Sequence, residues 1–182
     1  MAKLLFFVIA VLVILTGARL LAARRDKDKG LQDKPSTGSQ GRTFAVLRGE
    51  ADGHPMLAMI DMGLRNSPDM QQLPFFLSLS TPLISPTSEG LPSRSDADSL
   101  NALEDAVEAR LRPIGKFAFV GRVTWNGNRE LLYYVKDQQT VAEALKKLSE
   151  AHSTRPFAFR CNRDEKWDKA NFWFNQKQGP RF

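Results

Sequence analysis

Residues 115–136 read GKFAFVGRVTWNGNRELLYYVK and lie at the centre of the predicted fold. Two runs rich in β-branched and aromatic residues, KFAFVGRVTW (116–125) and RELLYYVK (129–136), are joined through Asn126-Gly127-Asn128. Asn-Gly is the strongest short hairpin signal, because both turn positions need a positive φ that these residues tolerate. The stretch therefore predicts an antiparallel β-hairpin.

A helical pattern precedes this hairpin. Ser95 is the expected N-cap, with Asp98 in the capping-box position, and Pro113 and Gly115 end the pattern. The predicted buried stripe has spacings of three and four and consists of Leu100, Leu103, Val107 and Leu111. Glu104 and Glu108 are expected on the surface of this helix.

A second helical pattern follows the hairpin. Thr140 and Glu143 form a full capping-box sequence. Val141, Leu145 and Leu148 then recur at helical spacing and predict the buried stripe of this helix.

Further strand signals lie outside this centre. FAVLRGE (44–50) and PMLAMIDMG (55–63) flank Asp52-Gly53 and predict a first hairpin, and LPFFLSLS (73–80) and RPFAFRCN (155–162) predict two more strands. Glu165–Phe174 is expected to form a short helix. From Leu73 the order is β-α-β-β-α-β, so the predicted class is α+β, a ferredoxin-like split unit preceded by a hairpin. Its second sheet face is expected to be open, or covered by the first hairpin or the C-terminal segment.

The N-terminus carries a long apolar segment. Leu4–Ala23 is interrupted only by Arg19, and as a helix of 20 residues it would span about 30 Å, enough to cross a bilayer. Residues 1–25 are therefore predicted to be a transmembrane signal-anchor, residues 26–42 a flexible polar tether, and residues 43–182 the folded domain. The alternative is a cleaved signal peptide with Thr16-Gly17-Ala18 as a marginal cleavage site.

Charge sets the expected orientation of this anchor. Arg24, Arg25, Lys27 and Lys29 follow the apolar segment, whereas Lys3 precedes it. The positive-inside rule then places the C-terminal domain in the cytoplasm. The expected location is a bacterial inner membrane, crossed once; signal cleavage would instead give a secreted or periplasmic protein.

The excess of basic residues in the chain lies within residues 1–42. The net charge is +6, but residues 1–42 hold eight Lys and Arg against three Asp, which leaves 18 basic and 17 acidic residues for 43–182. GKFAFVG (115–121) is close to the base-stacking strand of RNA-recognition motifs, K/R-G-F/Y-G/A-F-V-x-F/Y. Its register differs, however, because Gly115 and Lys116 are in the wrong order and Arg122 replaces the last aromatic. Phe117 and Phe119 are therefore expected to pack in the core, and nucleic acid is not an expected partner.

Four stretches together resemble a bacterial family called domain of unknown function 695. They are FVGRVTWNGNRELLYYVKD (119–137), FAVLRGEADGHPMLAMIDMGLRN (44–66), LPFFLSLSTPL (73–83) and RDEKWDKANFWF (163–174). The closing stretch departs from the family's D-P-E-W-x-x-Y pattern, since Glu165 and Lys166 replace the proline and the acid and Ala170 replaces the tyrosine. That family is distantly similar to the regulator of ribonuclease activity B proteins, which bind a ribonuclease. The resemblance implies a regulatory binding role.

The candidate site residues form an acidic and aromatic group near the C-terminus. Asp164, Glu165 and Asp168 flank Trp167, and Arg122 and Arg160 are possible counter-charges from the sheet. They predict either a docking surface for a protein partner or, more simply, carboxylates that stabilise a helix start. The expected function is a membrane-tethered binding or regulatory module that meets the lipid bilayer through residues 4–23.

Catalytic motifs do not emerge from the sequence. We find no phosphate-binding glycine loop, nucleophile elbow or Cys/His zinc pattern, and Cys161 is expected to be a small buried residue. No catalytic residue, metal ligand or cofactor is predicted. The alternative is an enzyme whose site is assembled from scattered carboxylates, Asp61, Asp164 and Asp168; an RNA-binding domain is a third hypothesis.

Overall fold

The structure, a computed structural model, describes residues 42–151 and 155–176. It is an α+β domain built on one six-stranded antiparallel sheet with three helices, so the predicted class is confirmed. The strands are β1 (Phe44–Ala51), β2 (His54–Asp61), β3 (Phe75–Pro82), β4 (Phe117–Trp125), β5 (Asn128–Val135) and β6 (Ala158–Arg163). The helices are α1 (Arg94–Leu111), α2 (Gln138–Ala151) and α3 (Asp168–Phe174).

The strands lie in the order β1-β2-β4-β5-β3-β6. The element order β-α-β-β-α-β from β3 to β6 is the predicted one. The first hairpin does not cover a face of this sheet. Instead β2 pairs with β4, so the hairpin lengthens the sheet and leaves β1 at its edge.

Both predicted hairpin turns are confirmed. Asp52 and Gly53 have φ of 50° and 74°, and Asn126 and Gly127 have 45° and 73°. Positive φ at both central residues is the type I′ geometry whose twist matches that of the flanking strands. These two turns fix the registers in which Ala51 faces His54 and Trp125 faces Asn128.

Helices α1 and α2 cover one face of the sheet, called here the α1–α2 face. The two predicted apolar stripes are buried there, against side chains that include Leu77, Leu79, Phe119, Tyr133 and Cys161. Phe119 is only 3% exposed and lies 5.1 Å, centroid to centroid, from the Tyr133 ring. Phe119 is therefore a core residue, as predicted, and Phe117 is partly buried against the same cluster.

The C-terminal helix α3 covers the opposite face, called here the α3 face. Trp167, Ala170, Trp173 and Phe174 are all buried against strand residues of β1, β2, β4 and β5. Of the predicted ways to cover this face, the C-terminal segment is the correct one. The helix is shorter than expected, because it begins at Asp168 and not at Glu165.

Two of the predicted helix caps are wrong. Ser93, not Ser95, caps α1, since its hydroxyl accepts a hydrogen bond from the Asp96 amide and the helix begins at Arg94. Asp137, not Thr140, caps α2, because its Oδ1 accepts from the Thr140 amide at 2.6 Å. Each true cap lies two or three residues before the predicted one, and short polar side chains at both positions made the choice ambiguous by sequence.

The predicted anchor and most of the tether lie outside the described residues. Among the described helices, none combines the length and the apolar character needed to cross a membrane.

Candidate functional site

Asp164 is the best-supported of the predicted site residues by geometry. It follows β6, and its backbone amide donates to the Pro74 carbonyl at 2.8 Å. Its Oδ1 accepts from the Asp168 amide and its Oδ2 from the Lys169 amide, both at 3.0 Å. Asp164 therefore satisfies two amides at the start of α3, which is the helix-stabilising role considered beside docking.

The same carboxylate also contacts a buried phenol. The Tyr134 hydroxyl donates to Asp164 Oδ2 at 2.5 Å. Burial, together with the hydrogen bond to Asp164, raises the pKa of Tyr134 far above its ordinary value. Asp164 thus links the start of α3 to the middle of the sheet.

Trp167 fills the space beside this pair. Its indole stacks on the Tyr134 ring at 3.9 Å and 10°, and its Nε1 donates to the Leu73 carbonyl at 2.9 Å. The side chain is completely buried, and its backbone has φ of 56°, in the left-handed region. This conformation turns the chain from β6 into α3, so Trp167 is a core residue and is not available at the surface.

Glu165 and Asp168 are exposed beside this core. Glu165 forms an ion pair with Arg163, whose Nε lies 3.0 Å from Glu165 Oε1. Such an exposed pair contributes little to stability. These two carboxylates are the part of the predicted surface that solvent reaches.

The two predicted counter-charges lie elsewhere. Arg122 is on the α1–α2 face, where it is 6% exposed and its Nη1 donates to Glu104 Oε2 at 3.2 Å. Arg160 is exposed on β6, and its positive charge partly opposes the rise that burial causes in the pKa of Glu130. Arg122 and Trp167 are therefore separated by the sheet, and the six predicted residues do not form one surface.

A second polar cluster lies between α1 and the β4–β5 hairpin, called here the α1 ionic cluster. It was missed by the sequence reading. Its charged members are Glu104, Glu108, Arg122 and Arg129, all at most 6% exposed. Burial raises the pKa of Glu104, and this effect outweighs the neighbouring Arg122 guanidinium.

Contacts to neighbouring elements extend the α1 ionic cluster. Arg122 Nη1 also approaches Asn101 Oδ1 at 3.4 Å, and Arg129 Nε donates to Thr124 Oγ1 at 3.0 Å. Glu108 lies 3.4 Å from Arg112 and 3.7 Å from Arg42, the first described residue. Burial, with Glu104 next, raises the pKa of the fully buried Tyr133 well above its ordinary value.

The expectation that Glu104 and Glu108 lie on the surface is wrong. Both are buried, at 5% and 3% exposure. Leu100, Glu104 and Glu108 are four residues apart, so the two glutamates share the face of the leucine. This spacing was a usable signal. It does not suffice by itself, because an isolated buried carboxylate is costly and the partners that make burial possible, Arg122 and Arg129, lie on other elements.

A third polar group joins the start of α1 to the end of β3, the loop that follows it and the segment before β6. Arg155 forms a buried ion pair with Asp96 and donates to Ser99 Oγ at 2.7 Å and to the Pro82 carbonyl at 2.8 Å. Asp96 Oδ2 accepts from the amides of Ile84 and Ser85. Arg155, which was predicted to start the last strand, therefore connects the loop after β3 to the start of α1.

The three carboxylates of the enzyme hypothesis are not brought together. Asp61 ends β2, and its Oδ1 accepts from the amides of Thr43 and Gly63 at 3.0 Å each. Asp164 and Asp168 follow β6, which lies four strand spacings from β2, about 19 Å across the sheet. Within residues 42–151 and 155–176, no group of three His, Cys, Asp or Glu side chains is placed to hold a metal ion.

Cys161 is buried in the core of the α1–α2 face, as predicted. Burial raises the pKa of its thiol to about 11. It is therefore a packing residue with little thiolate at neutral pH.

Comparison with known proteins gives one match. A family model described as Family of unknown function (DUF695) matches residues 44–174. No curated protein and no solved structure is a significant match.

Proposed function

The chain belongs to the family of unknown function DUF695, and from this premise we propose that it is a non-catalytic protein-binding module tethered to a membrane. The observation that carries the binding role is the covering of both sheet faces, by α1 and α2 on one side and by α3 on the other. A partner protein would therefore bind at the edges of the sheet, at the loops or at exposed charged side chains.

The non-catalytic part of the proposal is supported by what the carboxylates contact. Asp61 accepts backbone amides at the end of β2 and Asp164 at the start of α3, and Glu104 and Asp96 are paired with Arg122 and Arg155. Carboxylates used in this way hold the fold together. A general acid or base needs a free lone pair or proton facing a substrate.

Membrane attachment is proposed from the sequence of the first 42 residues. The apolar run of residues 4–23 is long enough for a bilayer span, and the charges that follow it favour a cytoplasmic domain. We place the protein in a bacterial inner membrane. We also propose a regulatory role, which rests only on the distant resemblance to the regulator of ribonuclease activity B proteins drawn from the sequence.

RNA binding is less well supported than protein binding. The aromatic ring that would have stacked on a base, Phe119, is 3% exposed. Residues 43–182 carry 18 basic and 17 acidic residues, which gives little attraction for phosphate.

Membrane attachment is tested by fractionating cells that express the full chain with a C-terminal tag. The full chain should stay in the membrane pellet after an alkaline carbonate wash, and the tag should resist protease added to spheroplasts. A variant lacking residues 1–25 should move to the soluble fraction. A shortened chain in the periplasm would show that the N-terminus is a cleaved signal peptide and would overturn the tether.

A further inference from the structure

Strand β1 is an open edge of the sheet. It pairs with β2 on one side and is first in the strand order. Its register with β2 runs without a bulge from Phe44 to Ala51, and these eight residues include neither Pro nor Lys. Edge strands are commonly protected by such features, because their free amide and carbonyl groups can pair with another chain.

The hairpin turn determines which amides face outward. Ala51 and His54 flank a two-residue turn, so they form a hydrogen-bonded pair, and such pairs alternate along an antiparallel ladder. The odd-numbered residues of β1 therefore bond to β2. The backbone groups of Phe44, Val46, Arg48 and Glu50 point to the open edge.

The side chains along this edge are compatible with pairing to a second copy. Val46 is 58% exposed, one of the two large hydrophobic residues so exposed among the described residues. In an antiparallel pair with a two-fold axis through Val46, the two valines face each other and Glu50 lies opposite position 42 of the other copy. The Arg42 guanidinium itself is directed inward, 3.7 Å from Glu108 and 5.6 Å from the centroid of the Phe119 ring.

We propose that β1 pairs with β1 of a second copy of this chain, antiparallel and in the register that places Val46 opposite Val46. The two sheets then become one. Val46 is brought against an apolar neighbour, like charges are kept apart, and Arg48 lies opposite Phe44 of the other copy. What favours a second copy over an unrelated partner is the predicted membrane tether, which leads directly into β1 and would hold two copies side by side.

The inference deepens the proposed binding function and depends on the membrane tether. A single strand pair buries less surface than a stable interface in solution usually needs. Two copies held in the same membrane meet at a high effective concentration, so a small contact suffices. The pairing is expected in membranes and should be weak or absent for a chain lacking residues 1–25.

Disulfide trapping tests the register directly. In the proposed pair the two residues at position 46 form a hydrogen-bonded pair with Cα atoms about 5.5 Å apart, within the range that a disulfide spans. Full-length Val46→Cys should give a covalent dimer when membranes are oxidised. Arg48→Cys is the matched control: it is exposed on the same side of β1, but its two copies would be displaced by four residues, about 13 Å along the strand.

The outcomes separate this inference from the proposed function. Cross-linking of Val46→Cys above Arg48→Cys supports the pairing. Equal cross-linking, a dominant Arg48→Cys dimer, or no dimer overturns it. Val46→Lys gives a second readout, because like charges directly opposite each other are destabilising; energy transfer between labelled full-length copies in vesicles should fall at least several-fold. If both tests fail while the chain still fractionates with membranes and holds a different protein, the self-pairing is wrong and the binding function stands.

Discussion

The Tyr134 ring and the Trp167 indole stack with centroids 3.9 Å apart and planes 10° from parallel. This contact joins the centre of the sheet to the segment that leads into α3, and Asp164 holds both ends of it through the Tyr134 hydroxyl and the first amides of α3. The C-terminal stretch that was predicted as a docking surface, residues 164–168, thus serves mainly to position α3 over its face of the sheet.

Trp167→Ala should be strongly destabilising. It removes a completely buried ring and the hydrogen bond to the Leu73 carbonyl, and truncating a buried tryptophan costs about 3–5 kcal/mol. Chemical denaturation of the detergent-solubilised full chain, followed by circular dichroism, measures this. Lys166→Ala, at the exposed neighbouring residue, should change the free energy of unfolding by less than about 0.5 kcal/mol. Equal effects of the two substitutions would show that the indole is not part of the core.

Both tyrosines of the chain should resist ionisation. The sequence contains two, Tyr133 and Tyr134, and each has 0% exposure. Burial raises both pKa values, so the unfolded state releases these protons at lower pH than the native state does. Stability should therefore fall as the pH rises above about 10, the ordinary value for tyrosine.

The measurement is absorbance of tyrosinate at high pH. The native protein should show no tyrosinate signal until alkaline unfolding releases both residues in one transition, whereas protein in guanidinium should titrate near the ordinary value. Gradual ionisation of one residue without loss of circular dichroism would contradict the burial of that phenol.

The Glu104–Arg122 pair should respond unequally to removal of its two partners. Arg122→Ala leaves a buried carboxylate without its guanidinium, and breaking a buried pair in this way costs about 3–5 kcal/mol. Because burial raises the native pKa of Glu104, this loss should shrink as the pH is lowered and the carboxyl group becomes neutral. Glu104→Gln should be milder, and should rescue part of the Arg122→Ala loss.

Urea denaturation at neutral and mildly acidic pH compares these variants. Arg163→Ala is the control, since its exposed pair with Glu165 should contribute no more than about 1 kcal/mol. An Arg122→Ala loss that is the same size as the control, or that does not depend on pH, would refute the role given to the α1 ionic cluster.

Gly121→Ala should disrupt the junction between β4 and β2. A Cβ atom at this position would lie 2.1 Å from the Met59 carbonyl oxygen, and the backbone φ is 153°. The expected cost is at least about 2 kcal/mol, because the blocking atom belongs to the backbone of a paired strand. Gly115→Ala separates the cost of the backbone conformation from the cost of the steric clash. Its φ of 145° is similar, but no atom lies within 4 Å of the added Cβ. Comparable losses would show that the conformation matters and the close approach does not.

Sequence alone predicted the fold well where the signal was local. The Asp-Gly and Asn-Gly turns each required positive φ, and the leucine and valine stripes of α1 and α2 had the helical period, so the hairpins and the buried faces were correct. The caps were less certain, because Ser93 and Ser95 are chemically alike and only the folded backbone selects one.

The polar interior was not predictable in the same way. Glu104 meets Arg122 across 18 residues and Asp96 meets Arg155 across 59, so neither pair has a local signature. The predicted group at the C-terminus failed for the opposite reason. Its members are near in sequence, but the left-handed Trp167 turns the indole inward and leaves Glu165 and Asp168 outside.

We propose that this chain is a membrane-tethered module that binds protein. The most direct measurement is capture of the tagged full-length chain from gently solubilised membranes, in nuclease-treated and untreated halves, from cells that also express a copy with a second tag. We predict a stoichiometric partner protein that is retained equally in both halves, whereas the second tagged copy, no longer held in the same membrane, should be recovered weakly or not at all. Retention of RNA, or of proteins that are lost with nuclease, would contradict the account, as would a chain captured alone in both halves.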